Sequence, residues 1–441
     1  MKTLLRFGAI TALTLIMGAV CFGQHYTQTN LVSNTSGAAP VTDPQLINPW
    51  GISRGSGSPW WISDNATGLS TLYDGAGVKQ SLIVTIPPAD PTNKNKPTGS
   101  PTGTIFNGSQ TDFLLAAGKP AVFLFSTIDG TIAGWNPNVA VAQGAAPPST
   151  HAVTVVKTTD GSSYTGLTSA FIDGKRFLYA ANFTNGRVDV YDNAFQPVKL
   201  SKDRSDEDSS DHKQSDEGSS DHKQSDEGSS DHKQSDEGSS DHKKSDEDSS
   251  NHSGQFSENA FFDESLPRPY VPFNVQAIGN DIVVTYAVHQ EGSPFETDGP
   301  GLGFVDIYSS TGRLLRRLEH GDWLNAPWGV ALAPLDFGRF SHDLLVGQFA
   351  GGGETQSSGF IAAYDLATGK FDGLLQDASG KPLVINGIWS LSPGNVGPAN
   401  YDPAAAPAAE VYFTAGPNHG SGGLFGYLTA VSTELIEGNA Q

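Results

Sequence analysis

Asn48-Pro49-Trp50-Gly51-Ile52, then Trp60-Trp61-Ile62-Ser63-Asp64-Asn65, then Leu69-Ser70-Thr71-Leu72-Tyr73-Asp74: these three pieces of one short span decide the fold. The first is a Pro/Asn-Gly-aliphatic start, the second a compact apolar run, and the third an alternating run that ends in Tyr-Asp. Period-two alternation, β-branched and aromatic enrichment and Asn/Gly punctuation mark short antiparallel strands joined by tight turns.

The unit recurs along the chain. Further starts are Pro101-Thr102-Gly103-Thr104-Ile105, Tyr164-Thr165-Gly166-Leu167, Pro272-Phe273-Asn274-Val275, Pro327-Trp328-Gly329-Val330 and Ile385-Asn386-Gly387-Ile388. Paired runs follow at 177–182 and 186–192, at 282–286 and 303–308, and at 344–348 and 359–365. Closing strands are expected at 81–86, 151–156, 314–318 and 371–375. Six starts imply six units of four strands, with roughly 40 to 60 residues each and nothing helical between them. That pattern fits an all-β six-bladed propeller better than a sandwich. A parallel β-helix is the alternative, but its repeats are shorter and lack Tyr-Asp hairpins. Closure needs a strand from one terminus to complete the blade made by the other. Residues 25–34 alternate and precede the first start, so they are expected to join 388–390, 411–414 and 424–429 in the last blade.

One segment stands outside this pattern. Residues 205–254 are five copies of a ten-residue unit, beginning Ser-Asp-Glu-Asp-Ser-Ser-Asp-His-Lys-Gln, with no aliphatic or aromatic residue. Such a segment cannot bury enough apolar surface to offset its ordering entropy and is expected to be disordered, a loop expansion at an exposed hairpin. Residues 202–248 hold 17 acidic and 7 basic residues, about half of the chain's net charge of −21. His212, His222, His232, His242 and His252 recur in it beside Asp or Asn and could hold divalent cations loosely; the spacing is not that of an EF-hand loop. Six of the eleven histidines remain for the folded part, with no metal-type cluster in sequence.

The start of the chain, a basic Arg6 followed by an apolar run over 7–20, reads as a secretory signal peptide over 1–23. Lipidation of Cys21 is the rival reading, against which Gly18 and Val20 fit poorly. Cys21 is the only cysteine, so a mature chain beginning after it has no disulfide, zinc-thiolate site or thiol nucleophile. The expected organisation is therefore a signal peptide (1–23), blades 1–3 with the closing strand (24–200), a disordered acidic insert (201–254), blades 4–6 (255–432) and a tail (433–441). The expected location is extracytoplasmic, in the periplasm or outside the cell. No further segment has 18 consecutive apolar residues, so no transmembrane span is expected in the mature chain. The acidic balance argues against nucleic acid as a partner. A monomer is expected.

The Pro-Trp-Gly-Ile, Trp-Ile-Ser-Asp-Asn and Leu-Tyr-Asp strings resemble the repeats of six-bladed NHL-like and TolB-like propellers. More closely, the chain resembles a family of uncharacterised exported bacterial propellers. The likeness rests on residues 42–44, 48–51, 63–65, 67–74, 130–132, 135–137 and 413–417 and covers roughly 26–430 apart from the insert. Some members of that family carry a C-terminal Pro-Glu-Pro sorting tail, which this sequence lacks.

The resemblance also invites comparison with calcium-dependent lactonases and phosphotriesterase-like hydrolases of this fold class, which hold a metal in the central channel with Glu, Asn and Asp from blade starts. Here Trp50 and Trp328 stand where a metal-binding Asp is expected. Asn48, Asn274 and Asn386 remain as neutral donors that would hold calcium only feebly. Gly-x-Ser-x-Gly, His-Glu-x-x-His and Gly-Lys-Ser/Thr motifs are absent. Asp64, Asn65 and Asn182 follow second strands and read either as turn-stabilising Asx residues or as the rim of a pocket. Trp50, Trp328 and Trp389 read either as wedges between blades or as the lining of a channel mouth. No cofactor is identified, with calcium left open. The functional expectation is a non-catalytic module that binds a protein, glycan or small molecule, or a structural component. The alternative is a metal-dependent hydrolase or lyase acting in the channel.

Overall fold

The computed structural model describes residues 24–200, 260–349, 359–394 and 409–431. The expected signal peptide, the decapeptide array with its five histidines, and the C-terminal tail lie outside the described residues.

Six antiparallel sheets follow one another along the chain. Blade 1 runs Pro49–Ser53, Trp60–Asp64, Leu69–Tyr73 and Val84–Thr85, and blade 2 runs Pro101–Phe106, Phe123–Thr127, Thr131–Trp135 and Val153–Lys157. Blade 3 comprises Tyr164–Ile172, Lys175–Asn182, Arg187–Tyr191 and Pro197–Val198. Blade 4 comprises Tyr270–Ile278, Asp281–His289, Phe304–Tyr308 and Leu314–Arg317. Blade 5 is Pro327–Leu332, Leu344–Gln348, Ile361–Tyr364 and Phe371–Leu374. Blade 6 is Ile388–Pro393, Val411–Ala415 and Leu424–Ala430, completed by Tyr26–Ser33. Five of the six expected starts lead inner strands; in blade 6 Ile385-Asn386-Gly387 is a turn, with Gly387 at φ 67°, and the strand starts three residues later at Ile388-Trp389-Ser390. The expected closing strand pairs from Tyr26↔Ala430 to Ser33↔Leu424, with a bulge between Asn30 and Val32. The outer strand of blade 1 is shorter than expected, pairing only over Val84–Thr85.

The hydrophobic core is divided among the seams. One cluster joins Trp61 and Leu72 of blade 1 to Phe123 and Trp135 of blade 2, and five others fill the remaining seams of the ring. Leu200 and Ala260, on either side of the acidic insert, both pack on the seam between blades 3 and 4, where Phe261 lies 5.6 Å from Tyr179 and 5.5 Å from Tyr308. The described residues on the two sides of the array thus meet at one seam.

The repeated start motif has a packing cause. Its third position is Gly51, Gly103, Gly166, Asn274, Gly329 and Ser390 in blades 1 to 6. A Cβ on Gly51 would press on the backbone of Thr102 and Thr104, on Gly103 on that of Gly166 and Leu167, and on Gly329 on that of Trp389 and Leu391. The missing side chains let neighbouring inner strands touch around the axis. Where blade 4 has Asn274, its side chain occupies the space left by Gly166 and donates Nδ2–H to Trp328 O at 2.7 Å. Between blades 6 and 1, Thr414 Oγ1 donates to Trp50 O at 2.5 Å.

Candidate functional site at the aromatic mouth of the channel

The second position of the same motif is Trp50, Thr102, Thr165, Phe273, Trp328 and Trp389. Its aromatic members leave their own blades and meet on the axis. Trp50 lies 6.5 Å from Phe273 although blades 1 and 4 are opposite one another, and 6.0 Å from Trp328. Trp389 is held between Trp50 at 3.7 Å and Phe349 at 4.0 Å, both nearly parallel to it. Phe183 closes the group against Phe273 at 5.3 Å. These rings form a seventh buried cluster, a plug across the channel. Burying such side chains contributes roughly 1.5–3 kcal/mol each.

The indole N–H groups are treated unequally. Trp389 donates to Asn48 Oδ1 at 2.9 Å and Trp328 to Thr165 O at 3.0 Å. Trp50 Nε1 has no hydrogen-bond partner although the residue is only 8% exposed. A buried donor without an acceptor is costly unless a ligand or water supplies one.

Over the plug opens a cavity of about 360 Å³. Its floor is Trp50, Trp389, Phe273, Phe183 and Phe349, and its polar wall is Asn48, Asn65, Ser163 and Thr165. Blade 6 adds His419. Blade 4 adds Phe295, Glu296 and Asp298 from the long connection between its second and third strands, where Glu296–Thr297 pairs back on Val288 and His289. Burial raises the Glu296 carboxyl to about 7, against a backbone hydrogen bond that lowers it and with the help of the Asp298 charge. Asn48 is held in the left-handed region at φ 49°, with Nδ2 3.4 Å from Asn65 Oδ1, and Asn65 donates to Pro101 O at 3.1 Å. At the other end of the channel a second cavity, of about 660 Å³, is lined by the far ends of all six inner strands.

Of the sequence candidates, Asn48, Trp50, Asn65 and Trp389 meet in the aromatic mouth. Trp328 belongs to the plug beneath it, and Asn274 is a buried spacer between inner strands. Asn386 is exposed and does not line the cavity. Asp64 and Asn182 are wholly buried behind the mouth. Asp64 accepts the Thr71 N–H at 3.1 Å through Oδ2, while Oδ1 has no hydrogen-bond partner. Burial, with the nearby Asp43 charge, holds its carboxyl well above the usual range, against the Thr71 hydrogen bonds and Lys79. Burial raises Asp43 as well. Hydrogen bonds from Lys79 and Tyr73 more than offset that, and Asp43 lies below its ordinary value.

Asn182 keeps part of the expected turn role, accepting the Asn185 N–H at 3.3 Å. Its Nδ2 donates to Asp189 at 2.7 Å, within a network that includes Tyr164, Tyr191 and Arg187. Phe273, Phe183, Phe349, Glu296 and Asp298 were not anticipated. Phe273 had a signal, since it stands in the same motif position as the three tryptophans. Among the described residues, no three His, Cys, Asp or Glu side chains come together as a metal site. No described helix is long and apolar enough to cross a membrane.

No protein-family model matches the chain. Among curated proteins it is similar to two uncharacterised proteins of Acanthamoeba polyphaga mimivirus. One is 26% identical over 90% of this chain and 78% of its own length, and the other 25% identical over 90% and 84%. Among solved structures it is similar to a streptogramin B lyase (10% identity, 92% of this chain and 98% of that one, TM-score 0.41). It is also similar to the PQQ-bound aldose sugar dehydrogenase of Streptomyces coelicolor (11%, 92% and 98%, 0.42). A Bacteroides thetaiotaomicron protein of unknown function gives 10% identity over 93% and 77%, with a TM-score of 0.46. The curated relatives are viral, whereas the motifs resembled those of bacterial propellers; what the chain shares with the structures is the propeller, six-bladed here.

Proposed function

We propose that the protein is an exported, non-catalytic binding module that seats a small molecule over the aromatic plug. The observation that carries this reading is Trp50, a lining residue of the mouth whose buried N–H lacks an acceptor. Around it, five aromatic rings and a few convergent polar groups gather on inner strands and the turns that flank them, the usual make-up of a small-molecule site. Titrating the full chain with a panel of amines, sugars and small alcohols, read by tryptophan fluorescence, tests it. A saturable response lost in Phe183→Ala supports the reading. A response that persists unchanged in Phe183→Ala and Phe349→Ala refutes it. Export is supported by the basic-then-apolar start of the sequence and is tested by cell fractionation.

Glu296 favours a second reading. A carboxyl raised to about 7 in a concave site can give or take a proton at neutral pH, as a channel hydrolase or lyase would require. Turnover abolished by Glu296→Gln with binding retained would select it. Stoichiometric calcium or zinc retained after deletion of 205–254 would point to the metal-dependent form.

A further inference from the structure

The aromatic mouth has a charge as well as a shape. Glu296 and Asp298 are its carboxylates, and no Lys or Arg is among the described residues that line it. Phe295 precedes Glu296 on the same connection and is 70% exposed, so its ring has room for a ligand beside the carboxylate. Trp50 supplies the opposite polarity, a buried donor that needs an oxygen. Ring faces carry partial negative charge and attract cations, most strongly where water is excluded.

We propose that the mouth binds a small organic cation, an ammonium group on a molecule that also carries a hydroxyl or carbonyl oxygen. The ammonium lies against Phe295 between Glu296 and Asp298, and the oxygen accepts the Trp50 N–H. This rests on the binding reading above and adds the class of ligand to it. The site favours the cation only when Glu296 is ionised. Its carboxyl, raised by burial to about 7, is mostly protonated below that value. Affinity for a permanent cation therefore rises as pH rises through neutrality. The other titratable groups facing Glu296 are Asp298, on the same connection, His289, its partner across the strand pair and 4.7 Å from Phe183, and His419, from blade 6.

Choline and its uncharged isostere 3,3-dimethyl-1-butanol separate charge from shape. Calorimetric titration of the full chain at pH 8 is expected to favour choline by roughly tenfold, a preference that shrinks at pH 5.5. Glu296→Gln is expected to abolish both the preference and its pH dependence. If His419→Gln removes the pH dependence while Glu296→Gln keeps it, the proposal is overturned. Phe295→Ala, at an exposed position that does not hold the fold, is expected to weaken choline by roughly threefold. Equal binding of the two probes, or a preference for choline untouched by Glu296→Gln, overturns the proposal. If an uncharged member of the panel binds and is lost in Phe183→Ala while choline is inert, the cation inference fails and the binding site stands. If no probe of either kind binds, both fail.

Discussion

Replacing Gly51 by alanine tests the packing of the ring at one of its tight seams. The new Cβ would lie 2.6 Å from Thr104 N and closer still to Thr102 O. That is about 0.8 Å inside the 3.4 Å at which ordinary contact begins, in an interior already packed like a crystal. The obstacle is backbone of the next blade, in a strand paired to Phe123–Thr127, so no side chain can rotate away. Overpacking of this kind costs about 1–3 kcal/mol, and a rigid obstacle places Gly51→Ala near the upper end. Alanine stiffens the unfolded chain and returns about 0.4–1 kcal/mol, leaving a net loss of about 2 kcal/mol.

Gly347 is the control. It too is buried in a propeller strand, but a Cβ there would meet nothing nearer than 3.5 Å, so Gly347→Ala keeps only the entropic gain. Urea unfolding followed by tryptophan fluorescence and circular dichroism should separate the two variants by about 3 kcal/mol. A Gly51→Ala protein as stable as wild type, or equal shifts for both, would refute the account of why the motif carries glycine.

Three other outcomes are expected. Trp389→Ala empties the middle of a three-ring stack and should cost about 3–5 kcal/mol, with loss of the near-ultraviolet dichroism of the coupled Trp50 indole; unchanged spectra would count against the plug. Asp64→Asn should become progressively more stabilising, relative to wild type, as pH rises above the ordinary Asp range. There the unfolded chain releases a proton that the buried carboxyl retains, so wild-type stability falls with rising pH. Parallel stability profiles for the two proteins between pH 4 and 8 would contradict this. Removing 205–254 should leave the thermal midpoint within about 1 °C, since both flanks pack on the same seam; a fall of several degrees would tie the array to the fold.

The ring was legible because its requirements are local and repeated. An inner strand that must touch its neighbour needs a residue without a side chain, and the glycine returns at the same offset in four of the six inner strands; Gly387 carried the same look into a turn one step before the sixth. Tyr-Asp punctuation did the same for the hairpins. It marks blades 1, 3 and 5 only; blade 4 ends its third strand in Tyr308-Ser309 and blade 2 in Trp135-Asn136, and no paired runs stood out in blade 2.

The site was legible only in part. Trp50 and Trp389 were found, but in two roles the sequence treats as alternatives; the structure makes them both packing and lining, since neighbouring blades 5, 6 and 1 supply one stack. Asp64 and Asn182 follow their strands as rim residues would, yet the seams draw them inward. Which face a polar residue takes at a strand end depends on the neighbouring blade, and no local pattern reports it. Glu296 lies in the long connection of blade 4, and length alone did not say that the connection turns back over the axis.

The pairing of Tyr26 with Ala430 sets how the molecule bears load. Both described chain ends leave blade 6 at the same end of two antiparallel neighbours, so tension between them does not shear the seven rungs together. It opens them in order, from Tyr26↔Ala430 toward Ser33↔Leu424, as a zipper opens. The six packed seams therefore share none of that load until the closing pair has opened.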